Sequence, residues 1–281
     1  MQKAQWTKSK ARLSRMSQET DSDLNWIFVP GGPGLGSEIF KQLTNQIELP
    51  GVVWHFDFPN DGSNRLKNFQ FSEKIWKQSL LESVDLFNHP VLVAHSFGGM
   101  VALSIPELEK KLGGLILMNS SPNQEWMKLF SGYTKVHPNP ALEQAKLEYS
   151  KMPSDQTFKE FTLLAAPYFF TELSMKEGLA LLSKLPYSHK SYDWAQTYFH
   201  PNYEANLILN DFPVLVLGGE LDFLTPLILF SKNPCFSKDN IEILELKGVG
   251  HFPWVGNCKL VQEILNVFIK KLKAEKGTEI S

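Results

Sequence analysis

Residues Val91-Leu92-Val93-Ala94-His95-Ser96-Phe97-Gly98-Gly99-Met100 form an apolar run that stops at a serine flanked by small residues. Such a run predicts a buried strand, and the glycines after it predict a sharp turn into a helix. A serine in that turn takes a strained backbone conformation that pushes its hydroxyl outward. Ala94 and Gly98 must then be small so that strand and helix can approach each other. The pattern is Gly-x-Ser-x-Gly with Ala94 in the first glycine position. So short a pattern gains weight only if a base, an acid and an oxyanion site occur in compatible places.

Elsewhere short apolar runs alternate with helical patterns, which marks an α/β fold with a mostly parallel central sheet flanked by helices. Strands are expected at 26–29, 52–57, 115–119, 214–217 and 241–246. The expected helices are one capped by Ser37 and reaching about Gln46, one over 72–87, one from Ser96 that ends before Pro106, and an amphipathic one over 260–272. Between Ser120 and about Asn210 the alternation stops for about ninety residues, far too long for a plain connection. This predicts a helical cap over 121–210, inserted into a core domain of 25–120 and 211–281. The cap is rich in aromatics from Trp126 to Phe199, some packing it and others lining an apolar pocket.

Composition narrows the partners. The formal net charge of -2 gives no electrostatic case for nucleic acid or an anionic membrane, so a small-molecule substrate with an apolar group is expected. Cys235 and Cys258 have no Cys-x-x-Cys spacing, which predicts neither a disulfide framework nor a metal site and suits a reducing cytoplasm. No apolar stretch approaches the roughly twenty residues that cross a bilayer, so a soluble protein is expected. Lys3, Lys8, Lys10, Arg12 and Arg15 make the first segment basic, with no acid before Glu19 and no apolar core to follow. Residues 1–24 are therefore expected to be a polar, solvated tail.

A serine hydroxyl needs a neutral imidazole within reach to take its proton. Of the seven histidines, His251 lies in Lys247-Gly248-Val249-Gly250-His251-Phe252-Pro253-Trp254, after the last strand. A loop at the carboxyl end of a strand can reach the same crevice as Ser96. The imidazole needs an orienting carboxylate, and Asp222 stands just beyond the strand that breaks at Gly218-Gly219. Asp211 precedes that strand and Glu220 sits too near its end, which leaves Asp222 as the choice over both; a turn-capping role before Thr225-Pro226 is its bland alternative. Negative charge on the substrate oxygen needs N–H donors. Phe97, next after the serine, supplies one, and Pro30-Gly31-Gly32-Pro33-Gly34-Leu35-Gly36 the other. Pro33 has no N–H, so Gly32 is the expected donor. The chain order Ser96, Asp222, His251 is that of the α/β-hydrolases, distinct from chymotrypsin and subtilisin.

On these residues the chain resembles the α/β-hydrolase superfamily, from about Asn25 to the last helix. Its Pro30-Gly31-Gly32-Pro33-Gly34 loop resembles the His-Gly-Gly-Pro-Gly motif of the proline iminopeptidase branch. The resemblance implies the α/β-hydrolase fold with a helical cap inserted after the sixth strand. It also implies Ser96 as nucleophile, His251 as base, Asp222 as orienter, and Gly32 with Phe97 as oxyanion donors. Pro30 departs from the motif's histidine, and Asp57-Phe58-Pro59-Asn60-Asp61-Gly62-Ser63 only loosely resembles the branch's Asp-x-x-Gly-x-Gly-x-Ser loop. The branch's N-terminal hairpin is not evident in residues 1–23, which look too polar to form it.

The expected function is a cofactor-free serine hydrolase acting through an acyl-enzyme on a small ester, thioester or amide. Iminopeptidase action would need cap carboxylates to hold an ammonium, and Glu160, Glu172, Asp193 and Glu204 are available. Exposed helix charges explain each of them more simply, which places ester hydrolysis ahead of peptide hydrolysis. The alternatives are a non-catalytic member of the fold that binds a ligand or partner, and an acyltransferase that excludes water from the acyl-enzyme.

Overall fold

The structure is a computed structural model and describes residues 4–17 and 20–278. Its strands are β1 (Ala4–Trp6), β2 (Arg12–Arg15), β3 (Asn25–Val29), β4 (Val52–Asp57), β5 (Val91–His95), β6 (Gly114–Met118), β7 (Val214–Gly219) and β8 (Ile241–Leu246). They form one sheet in the order β1-β2-β4-β3-β5-β6-β7-β8, antiparallel at β1-β2-β4 and parallel from β4 to β8. Ten α-helices accompany them among the described residues: α1 (Lys41–Thr44), α2 (Glu73–Val84), α3 (Phe97–Leu103), α4 (Glu125–Val136), α5 (Pro140–Lys151), α6 (Asp155–Leu164), α7 (Met175–Leu182), α8 (His189–Trp194), α9 (Ile228–Ser231) and α10 (Cys258–Thr278).

The central strands are unbroken apolar runs because both faces are covered. Trp26, Phe28, Val91, Val93, Ile116 and Leu215 pack into one core with Phe268 and Leu272 of α10, whereas Ile27, Val29, Leu92, Ala94, Leu117 and Val216 pack into another with Trp76 of α2 and Met100 of α3. Alternate residues thus serve opposite cores, as the two-residue period of a strand requires. Fully burying a large aliphatic side chain contributes about 1.5–3 kcal/mol, so these strands anchor whatever their ends carry.

Helices α4 to α8 all lie between β6 and β7, where the strand-helix alternation lapses in the sequence. Two expectations need correction. The first segment is no solvated tail: β1 and β2 make a hairpin, and β2 adds to the edge of β4 with Arg12 opposite Asp57. The count of basic residues hid a two-residue alternation, since Ala11 and Leu13 are fully buried while Arg12 lies between them. Arg12 Nη2 meets the buried Asp57 Oδ2 at 2.7 Å, so its charge serves the core's edge. Lys3 and Glu19, counted above, lie outside the described residues. The second correction concerns Ser37, which does not cap a helix with its side chain. Its N–H is taken by Asp57 Oδ1 at 2.7 Å, and the chain enters α1 through a 3₁₀ turn, Ser37–Phe40, ending at Thr44.

Candidate active site

The loops after β3, β5, β6, β7 and β8 leave the sheet at the carboxyl ends of parallel strands, so they gather along one edge. β3 has β4 on one side and β5 on the other, which makes the gap between β3 and β5 the switch point where such sheets open a crevice. Ser96 sits there, immediately after β5, with φ 49° and ψ -119°. This is the strained turn its neighbours predict, and the backbone N–H of Ser96 is tied to Met118 O at 2.9 Å. Gly98 explains how the turn fits: a Cβ there would lie 2.5 Å from Pro30 O and 2.7 Å from Val29 O. Only a glycine lets α3 pass so close to the end of β3.

His251 and Asp222 reach the same place from β8 and β7. Ser96 Oγ lies 3.0 Å from His251 Nε2, and His251 Nδ1 lies 3.0 Å from Asp222 Oδ2. All three are buried. The geometry fits a neutral imidazole that donates from Nδ1 to the carboxylate and accepts the serine O–H at Nε2. Glu220 and Asp211 stand elsewhere. Glu220 accepts from Lys247 Nζ and Gly248 N–H at the surface, and Asp211 pairs with Lys110.

Asp222 also does what a turn-capping aspartate would do. Its Oδ1 accepts the N–H groups of Leu224 and Thr225 at 3.0 and 3.2 Å, while Oδ2 accepts from His251, from Asn119 Nδ2 at 2.9 Å and from Thr225 Oγ1 at 2.8 Å. Burial alone would push this carboxyl up, but its attraction to and bond with His251, with the Asn119 and Thr225 bonds, hold it well below the usual carboxylate range.

Four residues not singled out from the sequence complete the arrangement. Asn119, at φ 46° just past β6, donates to both Asp222 Oδ2 and Gly250 O, bridging the loops after β7 and β8. Thr225 shares Asp222 with it. Ser120 Oγ donates to Ser96 O at 2.8 Å. His95 Nε2 lies 2.9 Å from His251 O; burial and the neighbouring His251 push the His95 imidazole down to about 3, so it is neutral and donates from Nε2. The one signal in the sequence was Asn119 itself, an Asn at the end of an apolar strand, a residue type that tolerates positive φ.

The glycine loop after β3 faces Ser96. Gly32 has φ 127°, open only to glycine, and a Cβ at Gly31 would lie 2.8 Å from Ser96 Cβ. The loop is held from outside: Gly34 N–H donates to Asp61 Oδ1 at 2.8 Å, and Gly34 O accepts Ser188 N–H at 2.8 Å. Phe97 N–H opens α3, in the first turn where helix donors lack intrahelical partners. Gly32, Ser96, Phe97 and His251 therefore lie around one point, with Asp222 behind the imidazole.

Two cavities adjoin that point, and Gly32 and Ser96 line both. The smaller, about 90 Å³, is walled by Pro33, Phe158, Phe252 and His251. The larger, about 210 Å³, is walled by Phe97, Trp126, Phe130, Leu142, Lys146 and His200. Phe161, Phe169 and Tyr192 belong to both walls, so the helices between β6 and β7 close over the crevice. The Phe169 carbonyl also accepts the backbone N–H of His251 at 2.8 Å.

The sequence profile of the Alpha/beta hydrolase family matches residues 26–261. The chain belongs to the alpha/beta hydrolase family. No curated protein matches the sequence. Among solved structures it is similar to a proline iminopeptidase of Mycobacterium smegmatis at 14% identity, with TM-score 0.66 over 98% of this chain and 100% of that one. It is similar at 19% identity to a proline iminopeptidase-related protein of Thermus thermophilus, with TM-score 0.72 over 97% and 98% of the two chains. An esterase of Exiguobacterium antarcticum aligns at 16% identity and TM-score 0.67 over 96% of this chain and all of its own. At these identities the likeness extends to the fold, which this member of the alpha/beta hydrolase family shares along nearly its whole length.

Proposed function

We propose that this alpha/beta hydrolase is a serine esterase, with Ser96 as nucleophile, His251 as general base and Asp222 as the carboxylate that orients it. The observation that carries the reading is the continuous hydrogen-bond chain Ser96 Oγ, His251 Nε2, His251 Nδ1, Asp222 Oδ2, with 3.0 Å at each end. As Ser96 Oγ attacks the substrate carbonyl, its proton passes to His251 Nε2, and the imidazolium is stabilised by Asp222. The N–H groups of Gly32 and Phe97 donate to the developing oxyanion. His251 then protonates the leaving oxygen, and water, deprotonated by the same imidazole, releases the acid from Ser96.

The leaving group must stand next to the imidazole that protonates it. His251 lines only the smaller cavity and Phe97 only the larger, so the alcohol occupies the former and the acyl chain the latter. The segment over 121–210 then works as a cap on a core of 25–120 and 211–281. Ester hydrolysis is favoured over iminopeptidase action because, among the described residues, no Asp or Glu lines either cavity. Glu160, Glu172 and Glu204 are exposed, and Asp193 accepts the Tyr149 hydroxyl at 2.5 Å. Among the described residues no helix is long and apolar enough to cross a membrane, and Cys235 and Cys258 are free, both compatible with a cytoplasmic location.

Ser96→Ala tests this reading. Turnover of methyl and p-nitrophenyl esters is expected to fall on the order of a millionfold with the circular dichroism spectrum unchanged, since a triad works as a unit. Hydrolysis persisting in that variant would put the chemistry elsewhere.

A further inference from the structure

The two cavities differ in charge as well as in size. Among the described residues the smaller is lined by no Asp, Glu, Lys or Arg, and the larger by one such residue, Lys146. Leu142 and Lys146 lie one turn apart on α5 and so share a face. Leu142 is buried, whereas the Lys146 side chain is 44% exposed, which suits a stem laid along an apolar wall with its ammonium at the wet end. Lys146 pairs with Glu143 at 3.0 Å, but Glu143 is mostly exposed, and pairs of this kind are worth only about 0–1 kcal/mol. A carboxylate delivered inside the cavity would compete for the ammonium on better terms. Gln196 adds an amide to the same wall. Trp126 Nε1 and His200 Nδ1, on rings 5.0 Å apart in that wall, are buried without hydrogen-bond partners.

Resting on the esterase reading above, we propose that the acyl group this cavity receives is a short aliphatic chain ending in a carboxylate, so that the substrate is a half-ester of a dicarboxylic acid. The distal carboxylate pairs with Lys146 Nζ and accepts from Gln196, while the methylenes lie against Leu142, Phe130 and Ala165. The volume sets the length. At about 210 Å³ the cavity suits a short chain, such as the four methylenes and carboxylate of an adipate half-ester. An ammonium in the same place would lose its hydration beside another cation, with no counter-charge in the wall.

The test is the order of kcat/KM for monomethyl adipate, dimethyl adipate and methyl aminohexanoate, which present an anion, a neutral ester and an ammonium on similar chains. The anion is expected to lead the neutral ester by about tenfold or more, mainly through KM, as a charge-assisted hydrogen bond would give. That lead should shrink with added salt. Lys146→Glu should invert the order in favour of the ammonium. The ratio within one variant is the readout, so a general loss of activity cannot imitate the result. The same esters should protect Ser96 from a fluorophosphonate in the same order, whether or not they turn over. A wild-type order with the anion level or last, or an order unmoved by Lys146→Glu, overturns the proposal while leaving the esterase reading intact. A folded protein whose Ser96 resists the fluorophosphonate overturns both.

Discussion

Burial alone would push the Asp222 carboxyl up, and its bonds with His251, Asn119 and Thr225 reverse that. Asp222→Asn keeps the shape but lets the amide donate toward His251, favouring the wrong tautomer. We expect kcat to fall on the order of ten thousandfold. A variant within tenfold of wild type in steady-state assays would remove Asp222 from the mechanism. Asp61 behaves oppositely. Burial raises its carboxyl to about 7, the Ser191 and Gly34 bonds and Arg65 only partly opposing burial and the Asp57 charge. The folded chain therefore keeps a proton that the unfolded chain gives up from about 3.8, so this contribution is full below that value and is lost as pH rises toward 7. Asp61→Asn lacks the ionisation. Its urea midpoint relative to wild type should climb between about pH 5 and about pH 8, and a constant difference would contradict the account. Sequence disclosed Ser96, His251 and Asp222 because each follows a strand with a distinctive turn. It concealed Asp61 and His95, whose contacts with Gly34 and His251 span long separations that no local spacing encodes.

At the level of elements, the approach of α3 to the end of β3 sets the distance between Phe97 N–H and the Gly32 loop. A methyl at Gly98 meets two backbone oxygens, Pro30 O and Val29 O, neither of which can swing aside as a side chain could. Gly98→Ala is expected to cost about 1–3 kcal/mol in chemical denaturation, the usual range for overpacking. A stability loss too small to measure would mean that the strand end yields freely. The parallel strands were legible because burial on both faces makes them continuous apolar runs. The helices between β6 and β7 were legible only as a group. Their aromatics serve cap packing and cavity walls alike, as Tyr192 does beside both Phe158 and Phe161, so side-chain type did not separate the two roles.

For the whole molecule, the N-terminal hairpin ties the sheet edge to the loops around the site. Arg12 reaches Asp57, whose other oxygen holds Ser37 at the end of the glycine loop. Arg12→Ala would leave a buried carboxylate without its cation, and a loss of about 3–5 kcal/mol is expected in thermal or urea unfolding. A loss under about 1 kcal/mol, the range of an exposed pair, would make the hairpin an ornament of the edge. This part of the fold was hidden because five basic residues obscured the alternation at Ala11 and Leu13. The central claim is that Ser96 is a nucleophile activated by His251, and reaction with a fluorophosphonate followed by peptide mass mapping tests it most directly. One adduct per chain is expected on the peptide carrying Ser96, with labelling greatly slowed in His251→Ala; a folded wild type that stays unlabelled, or is labelled on another residue, would contradict the account.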